Sequence, residues 1–96
     1  MQVLAIVRRR TETYSDEQFA PMLEPEAQAI RTLYAQGIVR NIWSREDALG
    51  AVVHVEAQSL EHARSIIAEL PLVHTGMAEV QMLIPIKGYR GFGPRP

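Results

Sequence analysis

The chain has 96 residues, of which 47% are hydrophobic and 22% are charged, and its net charge is -1. This length and composition are typical of one small folded domain and exclude an intrinsically disordered chain. The balanced charge gives no electrostatic reason to expect binding to nucleic acid or an anionic membrane, and the absence of cysteine excludes disulfides, thiolate nucleophiles and zinc–thiolate sites.

The first predicted element is a strand from Gln2 to Arg9, whose consecutive apolar residues indicate burial on both faces. Its basic end, Arg8 to Arg10, is typical of a solvated strand terminus. Because Met1 leads directly into this strand, we expect no signal peptide. No apolar run approaches the length of a membrane span, so we expect a cytoplasmic protein with no membrane partner.

A capping-box pattern at Ser15 and Gln18 precedes the main predicted helix, which runs from about Pro25 to Gln36. Glu26 is its most informative residue because, at about 100° per residue, it lies within the apolar stripe of the helix. A carboxylate there faces the core, an interface or a cavity, where burial raises its pKa or requires hydrogen-bond donors. Two alternatives stay open, since fraying at Pro25 would turn Glu26 toward water and a basic residue would hold it as an ion pair.

The rest of the chain predicts two strands, a second helix ended by Pro71, and a last strand. These elements run over Ile38 to Arg45, Leu49 to Ala57, Ser59 to Leu70 and Met77 to Ile86. The order β-α-β-β-α-β predicts an α+β, ferredoxin-like fold with a four-stranded antiparallel sheet and two helices on one face. Residues 1–88 form the single predicted domain, and residues 89–96 form a Gly/Pro-rich C-terminal tail.

Two helices cannot cover both faces of this sheet, so an apolar surface should remain on the other face. We expect it to contain Val39, Trp43, Val52, Val80 and Met82. A homodimer that packs sheet against sheet would cover it, and a stable monomer is the alternative. RNA-binding domains share this topology but stack bases on aromatic residues of the first and third strands, which carry none here, so we expect no nucleic-acid partner.

Several residues also carry a resemblance to a known family. The run EAQAIRTLYAQGIVRNIW, the LPL of residues 70–72 and an acidic Glu79 in the last strand resemble the muconolactone isomerase family of the dimeric α+β barrel superfamily. The resemblance covers about residues 26–86. It implies a cofactor-free enzyme that moves a proton between carbons of an unsaturated lactone, with Glu26 as acid/base, and assembly as dimers or rings of dimers.

The chain departs from the isomerases at the residues just before Glu26. There the isomerases carry a lysine that holds the substrate carboxylate, whereas this chain has Pro21, Met22, Leu23 and Glu24. The C-terminal tail of this chain also differs from that of the isomerases. The resemblance is therefore closer to uncharacterised relatives of the isomerases than to the isomerases themselves.

Proton abstraction next to a carbonyl also needs a cation or donor for the developing oxyanion or a substrate carboxylate. Arg40 and Arg8 are the candidate cations, Tyr14 and His54 the candidate neutral donors, and Trp43 a candidate stacking surface. Each has a structural alternative, such as an ion pair for Arg40 or a dimer core for Trp43. No two histidines have ligand spacing, so we expect no metal site. The resemblance implies that no other cofactor is bound.

Three functional hypotheses follow. The first is a cofactor-free isomerase or lyase that acts on a lactone or carboxylated metabolite, with a cofactor-free monooxygenase as its variant within the superfamily. The second is a non-catalytic protein that binds a small ligand in the same pocket. The third is a dimerisation domain without a pocket. A cavity of about 300 Å³ or more with Glu26 in its wall would favour the first two.

Overall fold

The computed structural model describes residues 1–94, and residues 95 and 96 lie outside the described part. Its elements follow in chain order. They are β1 (Gln2–Arg9), α1 (Asp16–Phe19), a 3₁₀ turn (Ala20–Met22), α2 (Leu23–Ala35), β2 (Val39–Ser44), β3 (Gly50–Glu56), α3 (Leu60–Ala68), α4 (Pro71–His74) and β4 (Ala78–Ile86). The four strands pair antiparallel in the order β2-β3-β1-β4, which is the ferredoxin-like arrangement and confirms the predicted fold class.

Local sequence signals explain where the first helices begin and end. Ser15 and Gln18 form the predicted capping box at the start of α1. The 3₁₀ turn, which carries Pro21, leads directly into α2, so the main helix begins two residues before the predicted Pro25. Gly37 has a φ of 77° and closes α2 with a Schellman pair, in which its own N–H binds the Tyr34 carbonyl and the next N–H binds the Leu33 carbonyl.

The core lies between one face of the sheet and the helices. Alternate residues of β1 and β3 point into it, including Val3, Ala5 and Val55, and α3 contributes Ala63 and Ile67. Residues of α2 pack against this core only in part, and none of them is fully buried. The loosely packed side of α2 therefore leaves space between this helix and the sheet.

Among residues 1–94, no helix packs on the opposite face of the sheet, which we call the open face. Trp43, Val52, Ile6 and Met82 form one row across it, with Trp43 49% and Met82 55% exposed. Leu4, His54 and Ile84 form the neighbouring row. An apolar sheet surface is thus present, as predicted, although its composition differs.

Two of the residues predicted on the open face lie on the helix side instead. Val39 belongs to the core and is 1% exposed, and Val80 is partly buried and packs against the core. The cause is a bulge in each edge strand, between Val39 and Asn41 in β2 and at Gln81 in β4. One extra residue in a strand reverses the alternation of its side chains, so Val39 and Trp43 point to opposite faces, as do Val80 and Met82.

The C-terminal part after β4 has no regular secondary structure in its described residues. Residues 87–94 contain no helix or strand, and Tyr89 and Phe92 are exposed. The remainder of the predicted tail, residues 95 and 96, lies outside the described residues. Within residues 1–94, no helix has the length and apolar character needed to cross a bilayer.

Candidate active site

A cavity of about 380 Å³ lies between α2 and the sheet. Its lining comes from four strands, from α2 and from α4, and is mostly apolar. The lining residues are Val7, Arg9, Leu23, Glu26, Ala27, Ile30, Arg31, Ile42, Ser44, Gly50, Ala51, Leu72 and Ala78. The volume is in the range of sites for small metabolites.

Glu26 is half-buried in the wall of this cavity. Of the three surroundings predicted for a carboxylate on the apolar stripe of α2, which were the core, an interface and a cavity, the structure has the cavity. Its Oε1 accepts a hydrogen bond of 2.9 Å from the backbone N–H of Leu72. Burial raises the pKa of Glu26, while the Leu72 hydrogen bond and the charge of Arg9 oppose that increase. A carboxyl with this balance can hold a proton nearer neutral pH than an exposed glutamate.

Arg9 is the cation that β1 directs to the cavity. It follows Val3, Ala5 and Val7 at the next alternate position, so it lies on the helix side of the sheet. Its guanidinium carbon lies 5.5 Å from the centroid of the Phe19 ring, within the range of a cation–π contact. The sequence predicts Arg9 only as part of a solvated strand end, because nothing in the residue pattern of β1 distinguishes it from Arg8 as a candidate site residue.

Arg31 supplies a second guanidinium to the lining, near the exposed side of α2. It forms an ion pair with Glu24 and donates a hydrogen bond of 2.9 Å to Gln28. More than half of its side chain is exposed. The charge of Arg31 is therefore already paired with a carboxylate of the same helix.

Arg8 does not join Glu26, because the odd–even alternation of β1 places it on the open face. There it binds Glu12 and Glu79, each at 2.9 Å. The Arg8 hydrogen bonds lower the pKa of Glu12 to about 2. The structure thus corrects the predicted grouping of Arg8 with the helix glutamate.

The remaining predicted site residues also lie outside the cavity lining. Arg40 is exposed at the β2 bulge, and Trp43 and His54 are on the open face, where His54 Nε2 lies within hydrogen-bond distance of Gln2 Oε1. Tyr14 packs edge-on against Phe19, with ring centroids 6.0 Å apart. The structure therefore brings Glu26 alone, of the six predicted residues, to the cavity wall.

A second cavity of about 560 Å³ lies between α2 and the region of α3 and Leu70. Its walls are mostly apolar, including Ala29, Leu33 and Ile66, and no cation lines it. Within residues 1–94, no three His, Asp or Glu side chains group together as metal ligands would. The cavity at Glu26 combines an acid with cations and is the better candidate for chemistry.

Comparison with models of protein families and with curated proteins found no match to this chain. The resemblance to the muconolactone isomerases therefore rests on its residue pattern.

Proposed function

We propose that the protein is a cofactor-free isomerase of the muconolactone isomerase type, which shifts a proton on an unsaturated lactone or carboxylated metabolite. The observation that supports this proposal is the half-buried Glu26 carboxyl, with a raised pKa, in the wall of a cavity large enough for such a substrate. A general acid/base works best when its pKa lies near the working pH. We also propose that the protein acts in the cytoplasm.

In the proposed reaction, the ionised Glu26 carboxylate takes a proton from the carbon next to the substrate carbonyl. The electron pair of that C–H bond moves into the conjugated system as an enolate, and the same carboxyl returns the proton to a different carbon. No atom is gained or lost, so the reaction needs no oxidant or co-reactant. The guanidinium group of Arg9 gives the cavity positive charge that offsets the negative charge of the enolate.

Glu26→Gln is expected to lower the rate of proton transfer by about 10²- to 10⁴-fold, the usual contribution of a positioned acid/base. Unsaturated γ-lactones and β,γ-unsaturated acids are incubated in D₂O, and double-bond migration and deuterium uptake are followed by proton NMR. Glu61→Gln, an exposed glutamate of α3 outside the cavity, is the matched control and should keep full activity. An activity that Glu26→Gln leaves unchanged would contradict the proposal.

The difference in free energy of unfolding between Glu26→Gln and the wild type should also depend on pH. Because burial raises the folded-state pKa of Glu26 above its unfolded value of 4.5, the folded state binds this proton more tightly. The stabilisation from the neutral carboxyl is fully present below pH 4.5, and it is lost as the pH rises through the folded-state pKa. Glu26→Gln should therefore gain stability relative to the wild type as pH rises, as measured by urea unfolding at pH 4 and pH 8, and a constant difference between the two would argue against a raised pKa.

A non-catalytic binding protein is the second candidate function. The Leu72 N–H and the charge of Arg9 both favour the ionised form of Glu26, which would make it a poor acid. Carbon NMR of the Glu26 carboxyl separates the two functions. A pKa well above the unfolded value of 4.5 supports the isomerase, and a value at or below it supports binding alone.

We further propose that two copies of the chain pack through their open faces. The row of Trp43, Val52, Ile6 and Met82 gives each face an apolar centre. Arg8 and Glu79 are also on this face and pair with each other within the chain, so the face carries no unpaired charge from these two residues that would oppose association. A small ferredoxin-like domain gains buried apolar area from such an interface.

Sedimentation at micromolar concentration should give twice the chain mass of 10.8 kDa for the wild type. Trp43→Glu combined with Met82→Glu should give the mass of one chain, because the substitutions bury unpaired charges of the same sign in the interface. Tyr34→Arg is the control, since Tyr34 is 65% exposed on α2, and it should remain a dimer. A wild type that sediments as one chain would refute the interface.

A further inference from the structure

We propose that Arg9 binds the carboxylate of the ligand, so that the cavity selects small acids with one carboxylate and an apolar, unsaturated body. This inference shares its cavity with the proposed function, but it concerns binding and holds for either an enzyme or a binding protein.

The position of Arg9 is the first argument. It is on the helix side of β1, in the same cavity lining as Glu26. The face of the Phe19 ring supports its guanidinium at 5.5 Å, and Phe19 itself is 2% exposed and fixed in the core. A planar guanidinium held against a ring keeps its edge free for two parallel hydrogen bonds to a carboxylate.

The second argument is that the charge of Arg9 is available. Within residues 1–94, Arg8, Arg31 and Arg45 each pair with a carboxylate of the protein, whereas Arg9 forms no ion pair. Glu26 influences Arg9 through its charge, and the two side chains form no hydrogen bond or ion pair. Arg9 is thus the lining cation whose hydrogen-bonding edge is not already used by the protein.

The rest of the lining determines the selectivity for one carboxylate. Arg31, the other cation, is paired with Glu24 on the exposed side of α2. The remaining walls are mostly aliphatic, such as Val7, Ile30 and Ile42, and would desolvate a second carboxylate without compensation. A volume of about 380 Å³ accommodates a body the size of a substituted ring or a short diene.

Cinnamate and its neutral isostere cinnamamide test this proposal by NMR titration. Cinnamate should bind the wild type at least about tenfold more tightly than cinnamamide, because a charge-assisted pair strengthens its binding. Arg9→Gln should remove that preference, whereas Arg9→Lys, which keeps the charge, should retain part of it. Arg40→Gln is the matched control, since it removes one charge from the exposed bulge outside the cavity, and it should behave as the wild type.

Two measurements make the result independent of folding and of catalysis. In the wild type, cinnamate should shift the side-chain N–H signals of Arg9 and the amide signal of Leu72, with no variant required. The inference is overturned if those signals do not move, if cinnamate does not bind, or if Arg9→Gln keeps the preference for the acid. Loss of activity in Glu26→Gln decides the proposed function separately, because that variant is expected to bind cinnamate.

Discussion

Gly50→Ala is expected to lower the free energy of unfolding by roughly 3 kcal/mol, an upper value for overpacking at a close contact. A Cβ at this position would lie 2.1 Å from the carbonyl oxygen of Val7, far inside contact distance. That oxygen belongs to the backbone of β1 and cannot move away as a flexible side chain could. The strands would have to separate where Arg9 N–H binds the Leu49 carbonyl at 2.8 Å.

Thermal unfolding followed by circular dichroism measures this effect. For a chain of this size, the expected loss corresponds to a fall in Tm on the order of 10–20 °C. Gly88→Ala is the matched control, because a Cβ at Gly88 meets no atom within 4 Å, and its Tm should remain that of the wild type. Equal Tm values for the two variants would show that β1 and β3 do not approach as closely as described.

Phe19→Ala is expected to lower the free energy of unfolding by about 3–5 kcal/mol, the cost of removing a buried aromatic side chain. Phe19 is 2% exposed and joins α1 to the core. The substitution also removes the ring that supports the Arg9 guanidinium. Phe19→Ala should therefore weaken cinnamate binding under conditions where the variant is still folded.

Urea unfolding gives the stability change from the shift in midpoint at constant slope. Phe92→Ala serves as the control, since Phe92 is 85% exposed in the tail, and we expect no measurable change. A Phe19→Ala loss below about 1 kcal/mol would be inconsistent with a fully packed site at that position. Phe19→Leu, which keeps much of the buried volume, should cost less than the alanine variant.

The pattern of apolar residues was sufficient to predict the order of the elements and the bounds of β1. It was not sufficient to predict which face each side chain occupies. Since β1 is apolar at odd and even positions alike, its sequence does not distinguish Arg8 from Arg9 as the residue on the helix side. The bulges in β2 and β4 also reverse the alternation of side chains. They could not be predicted, because a single extra residue in a strand leaves no signal in the residue pattern.

Glu26 could be found from the sequence because a carboxylate on an apolar helical stripe is unusual wherever the helix packs. Its partner could not be found in the same way. The sequence predicts that Pro71 ends the second helix. In the structure Pro71 is also the first residue of α4, a position where a helix does not need the N–H that proline lacks. The N–H of the following residue, Leu72, is then left to bind Glu26.

That hydrogen bond makes the Leu72 amide a built-in spectroscopic reporter. An ionised carboxylate accepts more strongly than a neutral carboxyl, so the amide proton should resonate downfield when Glu26 is charged and move upfield as it takes up a proton. Its protection against deuterium exchange, corrected for the pH dependence of intrinsic amide exchange, should fall in the same pH range. The charge state of this acid could then be followed in any variant, by one signal, before any substrate is known.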